Sequence, residues 1–183
     1  MKVDENSLFN KNTRIMAIDD SPFSRDQKFA VLLAVIIRKD LYIESIFKKY
    51  IEVDGLDSTE TVISMIREKG SGISVMMTQG ITFAGFNILD IEGVFRETGI
   101  PIINVVDHEP DFRALKNALT GHFPDWERRF SLLQGKFSRS DGIYVQSIGL
   151  STRQAQKFVK QVTVSGQMPE PLRLAHLIAS VIP

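Results

Sequence analysis

Carboxylates that close apolar runs are the residues of this sequence best placed to do chemistry. Asp19 and Asp20 end the run Arg14-Ile-Met-Ala-Ile-Asp19 and precede Ser21-Pro22. Asp57 and Glu60 lie close together in Val53-Asp-Gly-Leu-Asp-Ser-Thr-Glu60, and Asp107 opens Asp107-His-Glu-Pro110 after another apolar run. Acids that converge on Mg²⁺ or Mn²⁺ support phosphodiester hydrolysis, because these hard cations take oxygen ligands and activate water. Each set also has a plainer reading. Asp19 and Asp20 can start a turn by hydrogen-bonding their own backbone, and Asp20 is the weaker ligand because neighbours along a strand face opposite ways. Asp57 and Glu60 have capping-box spacing, with Asp57 accepting from first-turn amides and Glu60 reaching back; capping is their expected main role. Asp54 replaces them if the register slips. Asp107, His108 and Glu109 read first as a polar turn before a helix.

Binding residues are less specific. Arg153, Lys157 and Lys160 fall at i, i+4 and i+7, which aligns three cations on one helix face, and Arg173 is a candidate to extend them. Such a stripe tracks a nucleic-acid backbone, and a solvated helix face has the same pattern. Arg128 and Arg129 carry the same ambiguity. In Gly80-Ile-Thr-Phe-Ala-Gly-Phe-Asn87 the spacing fits no phosphate-binding loop. Phe83 or Phe86 there can stack a base, with core burial the commoner fate, and Asn87 can tie a loop through its amide. His108, His122 and His176 have no metal-ligand spacing and read as surface or capping residues, His108 being the one nearest a strand end.

Composition narrows the classes. The chain has 183 residues, zero formal net charge and no cysteine, so it can build one substantial core without disulfides or thiolate metal sites. Nucleic-acid binding would need a local basic patch rather than an overall field. Residues 1–13 read as a polar tail and 14–183 as a single domain. Met1 to Arg14 has neither a signal-peptide core nor an anchor, and no apolar run is long enough to span a bilayer; a cytoplasmic location is the default expectation.

The elements that must position these residues follow from periodicity. Phe29 to Ile37 is continuously apolar, as in a strand buried on both faces. From Leu41 to Asp54 the pattern alternates, with Leu41, Ile43, Phe47, Ile51 and Val53 on one side. Beyond Asp57 the period becomes helical until Gly70 and Gly72. Strands are expected at Ile73–Met77, Pro101–Val106 and Gly142–Val145. Helices are expected at Phe86–Thr98, Phe112–His122, Trp126–Leu133 and from Ser151 or Thr152 through Lys160. A last helix follows Met168-Pro-Glu-Pro-Leu-Arg-Leu-Ala-His176, where Pro171 suits the first turn and Glu170 the positive dipole end. Three antiparallel strands, then parallel strands joined through helices, make a mixed α/β sheet of ribonuclease H-like order.

Three segments carry a family resemblance: Asp19-Asp-Ser-Pro-Phe23, Gly80-Ile-Thr-Phe-Ala-Gly-Phe-Asn87 and the Pro-Glu-Pro-x-Arg-x-Ala segment from Pro169. Together, from about Arg14 onward, they resemble an archaeal domain-of-unknown-function family related to endonuclease V. The resemblance implies a ribonuclease H-like fold, places Asp19 at the first catalytic Asp of endonuclease V, and offers Asp57 or Glu60 for the catalytic Glu near the following helix start. The chain departs from endonuclease V at two places. Met77 or Thr78 stands where its middle-strand Asp would be, and Gln146-Ser-Ile-Gly-Leu-Ser151 lacks its late histidine. The expectation is a nucleic-acid-binding module with a degenerate metal site; the alternative is an active Mg²⁺- or Mn²⁺-dependent endonuclease on DNA or RNA, using Asp19, Asp57 or Glu60, and Asp107.

Overall fold

The computed structural model describes residues 9–24, 26–69 and 71–182. Most of the expected polar tail, and Gly70 as a helix stop, lie outside them. The chain builds β1 (Arg14–Asp20), β2 (Phe29–Arg38), β3 (Ile43–Glu52), α1 (Ser58–Lys69), β4 (Val75–Gln79), β5 (Thr82–Phe83) and β6 (Asn87–Ile88). It continues through α2 (Ile91–Thr98), β7 (Ile102–Val106), α3 (Phe112–His122), α4 (Trp126–Leu133), β8 (Ser138–Ser140), β9 (Ile143–Ile148), α5 (Thr152–Val162) and α6 (Glu170–Ala179).

Seven strands form one mixed sheet in the order β3-β2-β1-β4-β7-β9-β8. β1, β2 and β3 pair antiparallel, and β4 and β7 join β1 in parallel through crossover helices, as the sequence order requires. The far edge adds what periodicity did not disclose: β9 runs antiparallel to β7, and the short β8 pairs with it. Helices cover both faces. Met16, Ile18, Leu32 and Met76 pack with Val62 and Met65 of α1, Val94 of α2, Leu119 of α3 and Leu133 of α4. Ile15, Ala17, Leu33 and Met77 pack on the opposite face with Phe158 and Val162 of α5 and Leu172 and Ala175 of α6. Covered on both sides, β2 is buried from Ala30 to Ile37, which explains its unbroken apolar sequence.

Three expectations shift. β3 starts at Ile43 because Leu41 turns the chain at φ 70°, and a register shift beside Ile36 and Ile37 leaves Ile43 exposed while Phe47 and Ile51 face inward. α2 starts at Ile91, not Phe86. Asp90 caps it by accepting from the Gly93 N–H, and Ala84 and Gly85, both at positive φ, turn the preceding segment into the β5-β6 hairpin. β4 and β9 run two and three residues further than expected, to Gln79 and Ile148. Before β1, the Phe9 ring already packs near Phe158 of α5, with centroids 6.3 Å apart. No helix among the described residues is long and apolar enough to cross a membrane.

Candidate functional site

Strand parity separates the two acids at the end of β1. Ile15 and Ala17 face α5 and α6, so Asp19 does too; Met16 and Ile18 face α1 and α2, so Asp20 turns that way. Helix α6 buries Leu172, Ala175 and Ala179 and leaves His176 at its rim. There His176 Nδ1 lies 2.9 Å from Asp19 Oδ2, joining residues 157 apart in sequence. A carboxylate oxygen only accepts, so Nδ1 carries a proton, and in the neutral ring Nε2 then presents a lone pair. The His176 side chain is 64% exposed and Asp19 only 14%, so the imidazole faces solvent while the carboxylate is largely covered. The other Asp19 oxygen accepts the Asp20 N–H at 2.9 Å. Nearby on α6, Arg173 makes a bidentate pair with Glu170, which holds the Glu170 carboxyl below its usual range.

Asp20 does structural work on the other face. Its Oδ2 accepts the Ala84 N–H at 2.7 Å, pinning the hairpin that follows β4. Burial pushes its carboxyl up to about 6; the Ala84 N–H opposes the rise and the Asp19 charge adds to it. The same hairpin is held from three further sides. Asp54, itself at φ 56°, donates its N–H to Ala84 O and accepts from Phe86 N–H at 2.8 Å. Buried Arg129 of α4 donates to Gly55 O and Phe86 O, pairs with Asp125, and lies over the Phe123 ring. Asn87 donates to Glu52 O and Asp57 and accepts from Ser58 N–H. Around this clamp opens a cavity of about 610 Å³, lined by Phe23, Asp54, Gly85, Phe86, His122 and Phe123.

The remaining expected acids do not join Asp19. Asp57 forms no capping box: its carboxylate accepts from Glu52 N–H and Asn87, and Asn87 rather than Asp57 receives the first-turn amide of α1. Glu60 is exposed on α1 and lines a shallow depression with Arg67, Glu68 and Glu97. Asp107 and His108 are exposed just beyond β7. At the end of β4, Met77 is fully buried in the core under α6. Thr78 starts a buried chain of hydrogen bonds, through Asn104 to Gln146, across three strands. Among the described residues no three Asp, Glu or His side chains converge as a metal-holding group. Asp19 therefore has no second carboxylate among them beside it on its own face of the sheet, and the surroundings do not fit a two-metal carboxylate cage.

Phe83 is 1% exposed in the core and cannot stack a base, because β5 turns it inward. Arg153, Lys157 and Lys160 share the exposed side of α5, where Lys157 lies 4.5 Å from the Phe9 ring centroid and Lys160 is 3.7 Å from Asp141. Arg173 sits on the other helix with its guanidinium engaged by Glu170. Sequence reasoning gave His176 and His122 only a surface or capping role and left Arg129 an ambiguous cation, missing the partners that His176 and Arg129 find in the fold. Only the packing of α6 on β1 singles out His176, since its helix spacing resembles that of any solvent-facing residue.

Comparison with known proteins matches residues 11–182 to a family described as endonuclease dU. A UPF0215 protein of Thermococcus gammatolerans is 38% identical over 178 residues, covering 92% of this chain and 91% of the relative. A crystal structure of a protein of unknown function from Archaeoglobus fulgidus superposes with a TM-score of 0.84 at 34% identity, covering 91% of this chain and 96% of the other. Endonuclease V of Ciona intestinalis, solved with a 24-mer DNA containing an inosine followed by a ribo-adenosine, superposes with a TM-score of 0.64. It is 13% identical, with 98% of this chain and 89% of that chain covered, so the likeness concerns the ribonuclease H-like fold.

Proposed function

The chain belongs to the endonuclease dU family, and from that premise we propose that it is a divalent-metal-assisted endonuclease acting on DNA that contains deoxyuridine. The observation that carries the reading is the Asp19–His176 contact at the end of β1. A bound Mg²⁺ or Mn²⁺, with Asp19 as its protein ligand, would neutralise phosphoryl oxygens and make water more acidic. His176 Nε2 takes a proton from the water that attacks phosphorus. Asp19 fixes the imidazole tautomer and stabilises the imidazolium that results. The P–O bond to the sugar breaks, and the leaving oxygen takes a proton from solvent.

A second reading follows from the resemblance to endonuclease V, which puts Met77 or Thr78 where that family has a carboxylate: a nucleic-acid-binding module whose metal site is degenerate. The two separate in one assay. Strands with a single deoxyuridine, inosine or unmodified base are incubated with Mg²⁺ or Mn²⁺ and with wild type, Asp19→Asn or His176→Asn. The endonuclease reading expects wild-type cleavage of the deoxyuridine strand, lost on chelation and reduced about 10²–10⁴-fold in His176→Asn while binding persists. Binding that falls with salt, survives chelator and never leads to cleavage would decide for the module.

A further inference from the structure

Resting on the function proposed above, we propose that the cavity beside the hairpin reads the edge of an extruded base, Asp54 accepting the ring N–H that deamination creates. Enzymes that act at a base take it out of the stack into a pocket and hold it between apolar faces. A cavity of about 610 Å³ with Phe23, Phe86 and Phe123 in its walls has the size and chemistry for a nucleoside. The Phe86 and Phe123 rings already meet edge to face, with centroids 5.5 Å apart.

The polar groups in those walls are few and specific. Asp54 Oδ1 is committed to the Phe86 N–H, whereas Oδ2 accepts no hydrogen bond among the described residues. His122 is exposed and its ring makes none among them either. The cavity thus offers one fixed acceptor and one imidazole that can donate. Uracil presents N3–H beside C4=O, and hypoxanthine presents N1–H beside C6=O. Their parents, cytosine and adenine, present a ring lone pair beside an amino group. A carboxylate next to a donor therefore matches both deaminated bases and meets both parents with a lone pair against a lone pair.

The acceptor is held in place before any base arrives. Asp54 keeps a left-handed backbone because its N–H bonds Ala84 O and its carboxylate bonds Phe86 N–H. Gly85 lets that carboxylate approach: a Cβ there would lie 2.3 Å from Asp54 Oδ1. The next residue back, Ala84, is the one bonded to Asp20, so a hydrogen bond links the cavity wall to the end of β1.

The test uses strands carrying one deoxyuridine, deoxycytidine, thymidine, deoxyinosine or deoxyadenosine, with affinities measured in chelator so that cleavage is not required. Asp54→Asn keeps an oxygen for Phe86 N–H, tolerates the positive φ, and can turn an amide N–H toward the base. Wild type is expected to prefer deoxyuridine over deoxycytidine and deoxyinosine over deoxyadenosine, and Asp54→Asn to shrink both preferences about 10–100-fold. Thymidine, which has the uracil edge, should weaken together with deoxyuridine. Should Asp54→Asn not fold, His122→Phe is expected to weaken deoxyuridine binding at least about fivefold while sparing deoxycytidine. A wild-type preference that these variants leave unchanged, or no preference in wild type, overturns the base-reading inference alone. Absence of binding to every strand overturns it together with the proposed function.

Discussion

Asp19 and Asp20 are adjacent in sequence, yet the strand gives them opposite work. Asp19 meets His176 on the α6 side, and Asp20 anchors the hairpin on the other. The sequence shows both acids at a strand end and shows that they must diverge. It does not show which partner each finds, because those partners lie 157 and 64 residues away. The split has a measurable consequence in metal-free solution. Burial raises the Asp20 carboxyl from 3.8 to about 6 in the folded protein, so the folded state holds this proton more tightly than the unfolded chain. Its contribution therefore favours folding below about pH 4, declines as pH rises to about 6, and is level above that, a change of no more than about 3 kcal/mol. Denaturant unfolding of Asp20→Asn, which still accepts from Ala84 N–H, should lack this decline and be more stable than wild type at pH 8 by about 1–3 kcal/mol. Equal pH dependence in the two proteins would count against the assignment.

At the scale of elements, the hairpin after β4 ties the end of β1 to the cavity. Its residues stood out in the sequence as a glycine-bearing run with phenylalanines, but periodicity extended α2 back over them. The reason is that Phe86, Ile88 and Leu89 continue an apolar pattern, whereas the turn at Ala84 and Gly85 is imposed by Asp20, Asp54 and Arg129 from elsewhere in the chain. Asp57 failed as a cap for a similar reason: Asn87 reaches across to the α1 amide and takes that place. Truncating Arg129 to Met should cost about 2–4 kcal/mol in chemical denaturation, since it takes the donor from Gly55 O and Phe86 O and leaves Asp125 to solvent. Gly85→Ala combines a φ of 85° with a clash on Asp54, and should cost about 1–3 kcal/mol while weakening deoxyuridine-strand binding more than Asp20→Asn does. A Gly85→Ala protein as stable as wild type would show that the hairpin relaxes freely.

For the whole molecule, the order of strands and helices was legible, because β2 is buried on both faces and the second half alternates helices with strands. The antiparallel far edge was not, since three-residue β8 gives too short a pattern to detect and β9 looks the same in either direction. With zero net charge, the proposed nucleic-acid binding would have to rest on local cations. The double substitution Arg153→Ala with Lys157→Ala should lower the slope of log affinity against log salt by about two if α5 tracks the strand, and leave it unchanged if that face is only solvated. The packing of α6 on β1 brings Asp19 and His176 together, and the sharpest test lies there. Single-turnover cleavage of a deoxyuridine strand by wild type, Asp19→Asn, His176→Asn and the double variant measures whether the two residues act as a unit. The double variant is expected to lose no more activity than the worse single variant. Losses that multiply, or single variants as active as wild type, would contradict a catalytic pair at the end of β1.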